Sequence, residues 1–454
     1  MAQINIFFLP LSKIICEVIF IDSIWSDVSL PEFSSIRRDM KTDVLIIGGG
    51  LCGLLCAHKL HQSGINYILV EAERICQKTT ANTTAKISSL HGMIYKKLLS
   101  DVGKKNAYLY YEANQKAIDE YEALCKSTPC DFEKASAYLF TLDDEKRMRA
   151  EFDAIKKIGI DAHLCYKMDI PFSAKCGIRF DNQAQFNPLK FASQICRGLN
   201  IYEHSRVSEM IGNTAIVNGH KIKAEAVIVA THFPFLNKHG SYFLKMYQHR
   251  SYAIAIKTDK KIDGMYINDT KFGLSLRSYK DTVILGGEGH RTGKKSRGWR
   301  GLAELANKYF PGNTVESMWA TQDCITLDGM PYIGKYSKHT PNLYVATGFN
   351  KWGMTSSMVA ATVLCDIIQG KENKYERLFS PSRSILKPQL ALNALSSTVG
   401  LLTPTAPRCP HLGCALKWNK QERSWDCSCH GSRFSEDGHL LDGPANCDKI
   451  LSPH

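Results

Sequence analysis

The chain has 454 residues, more than one hydrophobic core usually supports, so we expect two or three domains. Its hydrophobic content of 44% and its 32 glycines fit an ordinary globular protein. The 57 Lys and Arg exceed the 44 Asp and Glu, giving a formal charge of +13, but most basic residues are scattered among acids. This scatter favours a solvated surface over a nucleic-acid partner. The exception is the loop 290–300, which holds five formal positive charges and no acid.

Residues 1–40 precede the first predicted strand. Their apolar stretch, 4–21, is interrupted by Pro10, Lys13 and Glu17, so it makes a poor membrane span. The stretch also lacks the basic start and the cleavage site of a signal peptide. We therefore expect a peripheral extension. No other stretch is long and apolar enough to span a bilayer.

The segment 43–71 reads as a strand, a glycine turn, a helix, a second strand and an acid. Gly48, Gly50 and Gly53 have GxGxxG spacing. In this pattern Gly48 permits a sharp turn, Gly50 lets the backbone approach a pyrophosphate, and Gly53 lets the helix pack on the strand. Glu71 ends the second strand, where its carboxylate can accept hydrogen bonds from ribose hydroxyls. The pattern predicts a Rossmann-like dinucleotide site in an α/β domain.

The rest of the first 370 residues predicts an elongated cofactor site. The hydroxyl-rich segment 79–86 suits phosphate or flavin contacts, or plain helix capping, and both interpretations remain open. The buried strand 226–231 would rejoin the first sheet, whereas residues 250–290 alternate in the β manner and predict an inserted antiparallel sheet. A strand, glycine loop and helix at 343–368 repeat the geometry that holds anions. A single phosphate group would not need this second anion-binding site, whereas an elongated cofactor would.

These features resemble the FAD-dependent oxidoreductases of the D-amino acid oxidase and glycine oxidase type over roughly 41–370. The resemblance implies a Rossmann-like FAD-binding domain with an inserted antiparallel-sheet substrate domain, which oxidises an amine or amino acid by hydride transfer to FAD. It implies FAD contacts from Gly48, Gly50, Gly53, Glu71, Thr79, Thr84, Lys86, Val207, Ala230, Thr231, Gly334, Gly348, Gly353, Met354 and Thr355. Arg277 and Tyr252 lie on strands where the family often binds a substrate carboxylate. They are our candidate catalytic residues, although Arg277 equally fits a surface position.

Cysteine and histidine are concentrated near the C-terminus in two short motifs. Cys409 and His411 form the first motif, and Cys427 and His430 form the second. Two cysteines and two histidines can bind one tetrahedral metal ion. They can also bind a two-iron cluster, with two thiolates on one iron and two imidazoles on the other.

Further residues in this block favour the two-iron interpretation over zinc. Cys414 and Cys429 are surplus to four ligands and occupy equivalent loop positions, where a disulfide could tie the loops together. Ser432 can donate a hydrogen bond to a cluster sulfur, and Pro444 follows a glycine in a stiff turn. The motifs CxHxGC and CxCHGS with this turn closely resemble the Rieske iron–sulfur domain. That resemblance implies a [2Fe–2S] cluster on Cys409, His411, Cys427 and His430, and a disulfide between Cys414 and Cys429.

The predicted organisation has four parts. They are an N-terminal extension at 1–40, an FAD-dependent oxidoreductase domain at 41–372 (FAD part 41–100, 185–235 and 321–372; substrate part 101–184 and 236–320), a linker at 373–402, and a minimal Rieske domain at 403–454. The last part is shorter than a typical Rieske domain. Because so small a domain generally needs a metal or a disulfide to stay folded, we expect it to lean on the flavin domain.

The two centres together predict a flavin-dependent oxidoreductase. A small-molecule amine or amino-acid-like substrate reduces FAD, and single electrons pass through the cluster to an unidentified electron carrier. Two alternatives stay open: a reductase fed by the carrier in the opposite direction, and a non-enzymatic redox or iron sensor that binds nucleic acid through the loop 290–300. No helix-turn-helix supports the sensor, so we expect no nucleic-acid partner and at most a peripheral membrane contact. Cysteines spread along the chain indicate a reducing cytoplasm.

Overall fold

The computed structural model describes residues 22–236, 239–270, 273–403 and 406–448. Residues 1–21 of the predicted extension and 449–454 of the predicted Rieske domain lie outside the described residues. Within these ranges the chain forms three β-sheets. Helices pack around the first two sheets, and a short helical segment leads to the third.

The first sheet is built around a central strand that is buried on both faces. Its eight strands are β1 (Met40–Ile47), β2 (Tyr67–Val70), β7 (Ile201–Tyr202), β8 (Val207–Ile211), β9 (Thr214–Val217), β10 (His220–Val229), β16 (Tyr332–Lys335) and β17 (Leu343–Thr347). The main order is β16-β17-β10-β1-β2-β7, and β1 runs parallel to both neighbours. Ile46 faces one hydrophobic core and Leu45 the other, so the strand is a continuous apolar run. The carboxyl ends of β1, β2 and β10 meet at one edge, where such sheets bind ligands.

Helices cover this sheet and connect it to the rest of the chain. They are α1 (Leu51–Gln62), α2 (Tyr95–Cys125), α3 (Glu145–Ile158), α4 (Pro188–Ile195), α5 (Tyr242–Lys245), α6 (Gly298–Tyr309), α7 (Gly353–Ile368), α8 (Glu376–Phe379) and α9 (Pro388–Leu402). The first of them, α1, follows the glycine turn directly and packs against α7. The two helices that begin beside the carboxyl edge of the sheet therefore support each other.

The second sheet has nine strands and confirms the predicted antiparallel insertion. They are β3 (Lys86–Ile87), β4 (Glu133–Thr141), β5 (His163–Cys165), β6 (Cys176–Gln185), β11 (Met246–Lys257), β12 (Met265–Asn268), β13 (Ser275–Tyr279), β14 (Thr282–Arg291) and β15 (Thr314–Thr326). The main order is β15-β11-β14-β13-β12-β4-β6-β3. Every neighbouring pair is antiparallel except β12 and β4. Helix α6 covers one face, where Leu302 joins a core with Ile254 and Leu285.

The third sheet is a small antiparallel meander of β18 (Leu416–Asn419), β19 (Ser424–Cys427), β20 (Arg433–Ser435) and β21 (Leu440–Asp442). It forms a C-terminal lobe together with the loops between its strands. Helix α9 lies in the segment predicted as a linker. Gly400 on this helix packs on the lobe, since a Cβ there would lie 2.5 Å from the Cys429 Sγ atom. No helix in the described ranges has an apolar stretch long enough to cross a bilayer.

Part of the predicted N-terminal extension packs into the oxidoreductase core. Trp25 is fully buried, and its indole N–H donates to the Thr83 carbonyl at 2.8 Å. Ile36 is buried beside strands of the first sheet. The described part of the extension therefore contributes to the hydrophobic core, because these apolar side chains cover the loop and strands that follow.

Candidate functional site

A cavity of about 460 Å³ opens at the carboxyl edge of the first sheet and extends to the second sheet. The predicted FAD-binding residues that line it are Gly48, Gly50, Glu71, Thr79, Thr84, Lys86, Val207, Ala230, Thr231, Gly353 and Met354. Parts of β11, β12, β13 and β14 form the opposite wall. The fold thus brings predicted contacts from distant parts of the chain into one elongated space between the two sheets.

The glycine turn after β1 has the close contacts that its spacing predicts. Gly48 has φ of +110°, and a Cβ there would lie 2.6 Å from the Ala230 carbonyl oxygen. A Cβ on Gly53 would overlap the Gly48 carbonyl oxygen. At Gly50, by contrast, a Cβ would meet only the Thr80 hydroxyl, at 3.7 Å. The backbone at Gly50 is therefore open toward the cavity, as close approach of a ligand requires.

Glu71 lies at the cavity wall with each carboxylate oxygen held by the backbone. The Gly49 N–H donates to one oxygen at 2.6 Å, and the Glu73 N–H donates to the other at 3.0 Å. Burial raises the pKa of Glu71, and the two N–H groups oppose that shift. The carboxylate is thus fixed at the end of β2, where its remaining lone pairs can accept from a ligand hydroxyl.

The hydroxyl-rich loop after β2 has two roles, which the sequence left open. Thr79 and Thr84 line the cavity. Thr80, which the sequence analysis did not single out, accepts a hydrogen bond from the Leu51 N–H at 3.1 Å. Its hydroxyl therefore satisfies one of the exposed amides at the start of α1, as a helix cap does.

Lys86 brings a cationic group into the wall shared by the two sheets. Its Nζ donates to the Thr84 hydroxyl at 3.1 Å and to the Ser275 hydroxyl at 3.3 Å. Burial, and then the nearby charge of Arg277, lower the pKa of Lys86 to about 7. In the part of the chain that the structure describes, no carboxylate lies within ion-pair distance of this amine. An anionic ligand group would supply the missing partner.

Four predicted FAD residues stand behind the cavity wall, namely Gly53, Gly334, Gly348 and Thr355. Gly348 has φ of +71°, and a Cβ there would collide with Thr326. Thr355 donates to the Ser88 carbonyl at 3.3 Å and lies 3.2 Å from the His91 ring. These residues shape the backbone and the groups behind the wall.

An aromatic pair closes the cavity near α7. Trp352 stacks on His91 with ring centroids 4.6 Å apart, and both line the cavity. The His91 ring nitrogens lie 2.7 Å from the Tyr110 hydroxyl and 2.6 Å from the Ser88 carbonyl oxygen. Burial lowers the pKa of His91 to about 3, so the ring is neutral. His91 thus supports the stacked tryptophan.

The two candidate catalytic residues differ in position. Arg277 is fully buried, not on the surface, and does not line the cavity. Its Nε donates to the Thr84 carbonyl at 2.6 Å, and burial lowers its pKa to about 9. Tyr252 does line the cavity, and its hydroxyl donates to Glu422 of the C-terminal lobe at 3.0 Å. Arg277 thus holds the hydroxyl-rich loop, whereas Tyr252 joins the cavity to the lobe.

The four predicted cluster ligands come together in two loops of the lobe. The rings of His411 and His430 have centroids 5.0 Å apart, and the Cys409 thiol is hydrogen-bonded to Cys427. Burial lowers the pKa of both histidines to about 4, so each ring is neutral. Within the described ranges, neither buried ring nitrogen of His430 has a hydrogen-bond partner. Buried polar atoms usually have one, so this arrangement fits a bound metal centre.

The structure does not contain the disulfide predicted between Cys414 and Cys429, both of which it describes. The Sγ atoms of Cys414, Cys427 and Cys429 all lie within 4.8 Å of one another. The Cys414 thiol is hydrogen-bonded to each of the other two. The resemblance implied an isolated pair of cysteines, Cys414 and Cys429. In the structure the Cys427 thiol lies beside both of them, so a group of three thiols replaces the predicted disulfide.

Ser432 and Pro444 lie against the ligand loops. The Ser432 hydroxyl is hydrogen-bonded to the Cys409 thiol and accepts from the Ala445 N–H at 3.2 Å. A Cβ on Gly443 would lie 2.5 Å from the Ser432 Cα atom. The turn that contains Gly443 and the buried Pro444 therefore packs tightly over Ser432.

The histidine side of the lobe faces the oxidoreductase domain. The Phe233 ring packs edge-on against His411 with centroids 6.4 Å apart, and the Phe243 ring packs against His430 at 5.8 Å. Phe233 also lines the cavity. One aromatic residue therefore contacts both the cavity and a predicted cluster ligand.

Further polar contacts dock the lobe beside the cavity. Arg291 donates to two backbone carbonyls of the second ligand loop, each at 3.2 Å. The side-chain amide of Gln322 donates to the Gly431 carbonyl at 2.8 Å. Residues 440–443, 445 and 446 of the lobe form part of the cavity wall. The first arginine of the basic loop 290–300 therefore holds the lobe.

A buried ion-pair network connects the second sheet to the lobe. Glu422 accepts from the Nε of Arg250 on β11 at 3.0 Å and from Arg433 on β20 at 2.8 Å. Arg433 also pairs with Asp426 at 3.0 Å. Burial raises the pKa of Glu422, but Arg250 and then Arg433 outweigh it and lower the pKa to about 2. No local motif signals this network, because Glu422 lies in a short turn between β18 and β19.

Two family profiles match consecutive parts of the chain. The profile "FAD dependent oxidoreductase" matches residues 43–367, and "Rieske [2Fe-2S] domain" matches residues 387–450. The chain belongs to the FAD-dependent oxidoreductase family. Its C-terminal part is a Rieske domain, and the match to that domain takes in α9.

Relatives with known sequences agree with this two-part organisation. The chain is 34% identical to the putative Rieske 2Fe-2S iron-sulfur protein YhfW of Bacillus subtilis (strain 168), over 92% of this chain and 95% of the relative. It is 46% identical over 44 residues to the chloroplastic cytochrome b6-f complex iron-sulfur subunit of Fritillaria agrestis. That shorter match covers 10% of this chain and 19% of the subunit.

Solved structures show the same fold for the oxidoreductase part. Glycine oxidase from Geobacillus kaustophilus superposes with a TM-score of 0.65 and 15% identity, covering 76% of this chain and 99% of the oxidase. L-proline dehydrogenase from P. horikoshii superposes with a TM-score of 0.64 and 17% identity, covering 76% and 98%. The protein binds FAD in its oxidoreductase domain and a [2Fe–2S] cluster in its Rieske domain. The open backbone at Gly50 and the unpartnered imidazole nitrogens of His430 fit these groups.

Proposed function

We propose that the protein oxidises an amine or amino-acid-like substrate. When bound, FAD would supply a hydride acceptor for the substrate carbon that bears nitrogen, with the nitrogen losing a proton to give the imine, and the [2Fe–2S] cluster would supply one-electron transfer to an external electron carrier. The glycine turn, Glu71 and the residues around Gly353 would hold FAD. Cys409, His411, Cys427 and His430 would hold the cluster.

The contact of Phe233 with both sites is the observation that carries this proposal. Phe233 lines the cavity and packs on His411. The lobe is held in this orientation by Arg291, Gln322 and the pair of Arg250 with Glu422. These contacts support a short route between the two sites, because they keep the histidine side of the lobe against the oxidoreductase domain.

The position of Lys86 supports the proposal of an amino-acid-like substrate. Its amine lies in the wall formed with the second sheet, hydrogen-bonded to two hydroxyls and without an acidic partner among the described residues. A substrate carboxylate would provide a charge-assisted hydrogen bond there. The names of structural neighbours, glycine oxidase and L-proline dehydrogenase, point to amino acids as substrates of those proteins. Lys86 is our candidate for the group that orients such a substrate.

The position of the basic loop favours an enzyme over a sensor that binds nucleic acid. Arg291 holds the lobe, Arg297 pairs with Glu288 and Glu304, and Arg300 pairs with Glu304. Three of the five positive charges in this loop are therefore engaged within the protein. We also propose a reducing cytoplasm as the location, because the cysteines are spread along the chain and most of those described are buried.

Anaerobic titration of the holoprotein with glycine, L-proline and other small amines tests the proposal. We expect a productive substrate to bleach the flavin absorbance and then to produce the EPR signal of the reduced cluster. In a Cys427→Ser variant the same substrate should still bleach the flavin, but the EPR signal should be absent. If reduced carriers reduce the cluster first and no amine bleaches the flavin, the protein works as a reductase and the proposal is wrong.

A further inference from the structure

The outer face of α9 carries an exposed apolar strip, defined as Leu392, Leu395, Val399 and Leu402. These side chains are 55%, 62%, 57% and 76% exposed. Their spacing places them along one side of the helix. No residue of the helix sequence PQLALNALSSTVGLL is charged. Apolar residues exposed singly are ordinary, but a contiguous patch marks an interaction surface.

The opposite side of α9 fixes the helix to the protein beside the cluster loops. Asn393 donates to the Leu244 carbonyl at 3.3 Å and accepts from Arg291 at 3.1 Å. Gly400 packs against Cys429. Within the residues the structure describes, the strip itself is covered by nothing. The helix is therefore anchored on one side and open on the other.

The surroundings of the strip are basic. No Asp or Glu occurs between Glu376 and Glu422, whereas six Lys and Arg do. Of these six, Arg383 and Lys387 pair with Asp328 and Asp101, and Arg408 donates to backbone carbonyls at the end of α9. The Ala415 N–H donates to the Gly400 carbonyl at 2.9 Å, so β18 starts beside the end of α9. The exposed Lys417 and Lys420 follow on and after this strand.

We propose that the strip docks the protein on an anionic lipid bilayer as a peripheral contact. An apolar helix face with basic flanks suits the boundary between headgroups and acyl chains, where leucines insert and lysines meet anionic lipids. A second copy of this chain would bring the same basic surroundings against each other, which opposes self-association through this face. This inference goes beyond the proposed function and does not depend on it.

Vesicle sedimentation with the full-length holoprotein tests the inference. The probes are phosphatidylcholine vesicles with and without roughly a third of phosphatidylglycerol. We expect binding to the anionic vesicles and weaker binding at high salt. Each change in the double variant Leu395→Gln/Leu402→Gln should lower the partition coefficient about tenfold or more. The matched control is Ile211→Gln, which removes an exposed apolar side chain on β8 and should leave binding unchanged.

Flavin absorbance and the cluster EPR signal check that each variant is folded and loaded. Binding that falls in the double variant and not in the control supports the inference. The inference is overturned if the holoprotein binds no vesicle, or if both variants bind equally. It is also overturned if the strip instead mediates dimerisation, seen as a sedimentation coefficient that rises with protein concentration and falls in the double variant. Loss of binding on deletion of residues 2–21, with the double variant still binding, would assign the contact to that segment instead.

Discussion

Replacing Glu422 by Gln should weaken docking of the Rieske domain on the oxidoreductase domain. The carboxylate lies between Arg250 and Arg433, and the side chains of all three are at most 8% exposed. After the change Arg433 keeps Asp426, but Arg250 remains as a buried cation without a counterion. The expected loss of stability is at the interface between the two domains, because Arg250 belongs to the oxidoreductase domain and Glu422 to the Rieske domain.

The pKa of Glu422 gives the magnitude. Its fall from 4.5 to about 2 corresponds to about 3 kcal/mol of stability. Removing one partner of a buried pair typically costs about 3–5 kcal/mol, which agrees. Because the pKa is lower in the folded protein, this contribution is fully present above pH 4.5 and is lost as the pH falls toward about 2.

Urea unfolding at neutral pH, followed by tryptophan fluorescence, measures the effect. The matched control is Glu436→Gln, which breaks an exposed pair with Arg423 and should cost less than about 1 kcal/mol. The double variant Arg250→Met/Glu422→Gln should recover most of the loss, since it removes the isolated cation. The reasoning is refuted if Glu422→Gln costs no more than Glu436→Gln, or if the double variant is less stable than Glu422→Gln alone.

Three other changes test the cavity and the cluster site. Gly53→Ala should yield protein without bound FAD, because the alanine Cβ would overlap the Gly48 carbonyl oxygen. The flavin-to-protein absorbance ratio measures the bound FAD, and a normal ratio would contradict the prediction. Lys86→Met should raise KM for an amino acid substrate by about ten- to a hundredfold, with Lys86→Arg milder. In the parent protein KM should rise as the pH increases through about 7, where Lys86 loses its charge, and a flat profile would exclude the amine from binding. Cys409→Ser should lower bound iron in elemental analysis, while bound zinc in the parent protein would reject the two-iron interpretation.

Short motifs carried most of what the sequence could predict. The turn at Gly48 and the acid at Glu71 specify both an element and its contacts within about thirty residues, so the Rossmann-like site was accessible. The cluster ligands were also local, in two motifs of a few residues. In each case the residues that bind the cofactor are neighbours in sequence, and the fold only has to bring two short motifs together.

Contacts made by tertiary packing were inaccessible to the sequence. Glu422 and Arg250 are ordinary charged residues until the lobe docks, and nothing near Phe233 in sequence indicates contact with His411. Helix α9 lies in the segment predicted as a linker, and nothing in its sequence indicates the contact between Gly400 and Cys429. The disulfide was inferred by resemblance, and only the structure reveals the third thiol beside Cys414.

The orientation of the imidazole side of the lobe has a consequence for how redox partners bind. Phe233 packs against His411 and Phe243 packs against His430, so the oxidoreductase domain fills space beside both rings. Under the proposed electron flow, a carrier that approaches the docked lobe would contact surface that the oxidoreductase domain leaves open. Donor and carrier would then occupy separate sites, so an excess of one should not prevent binding of the other.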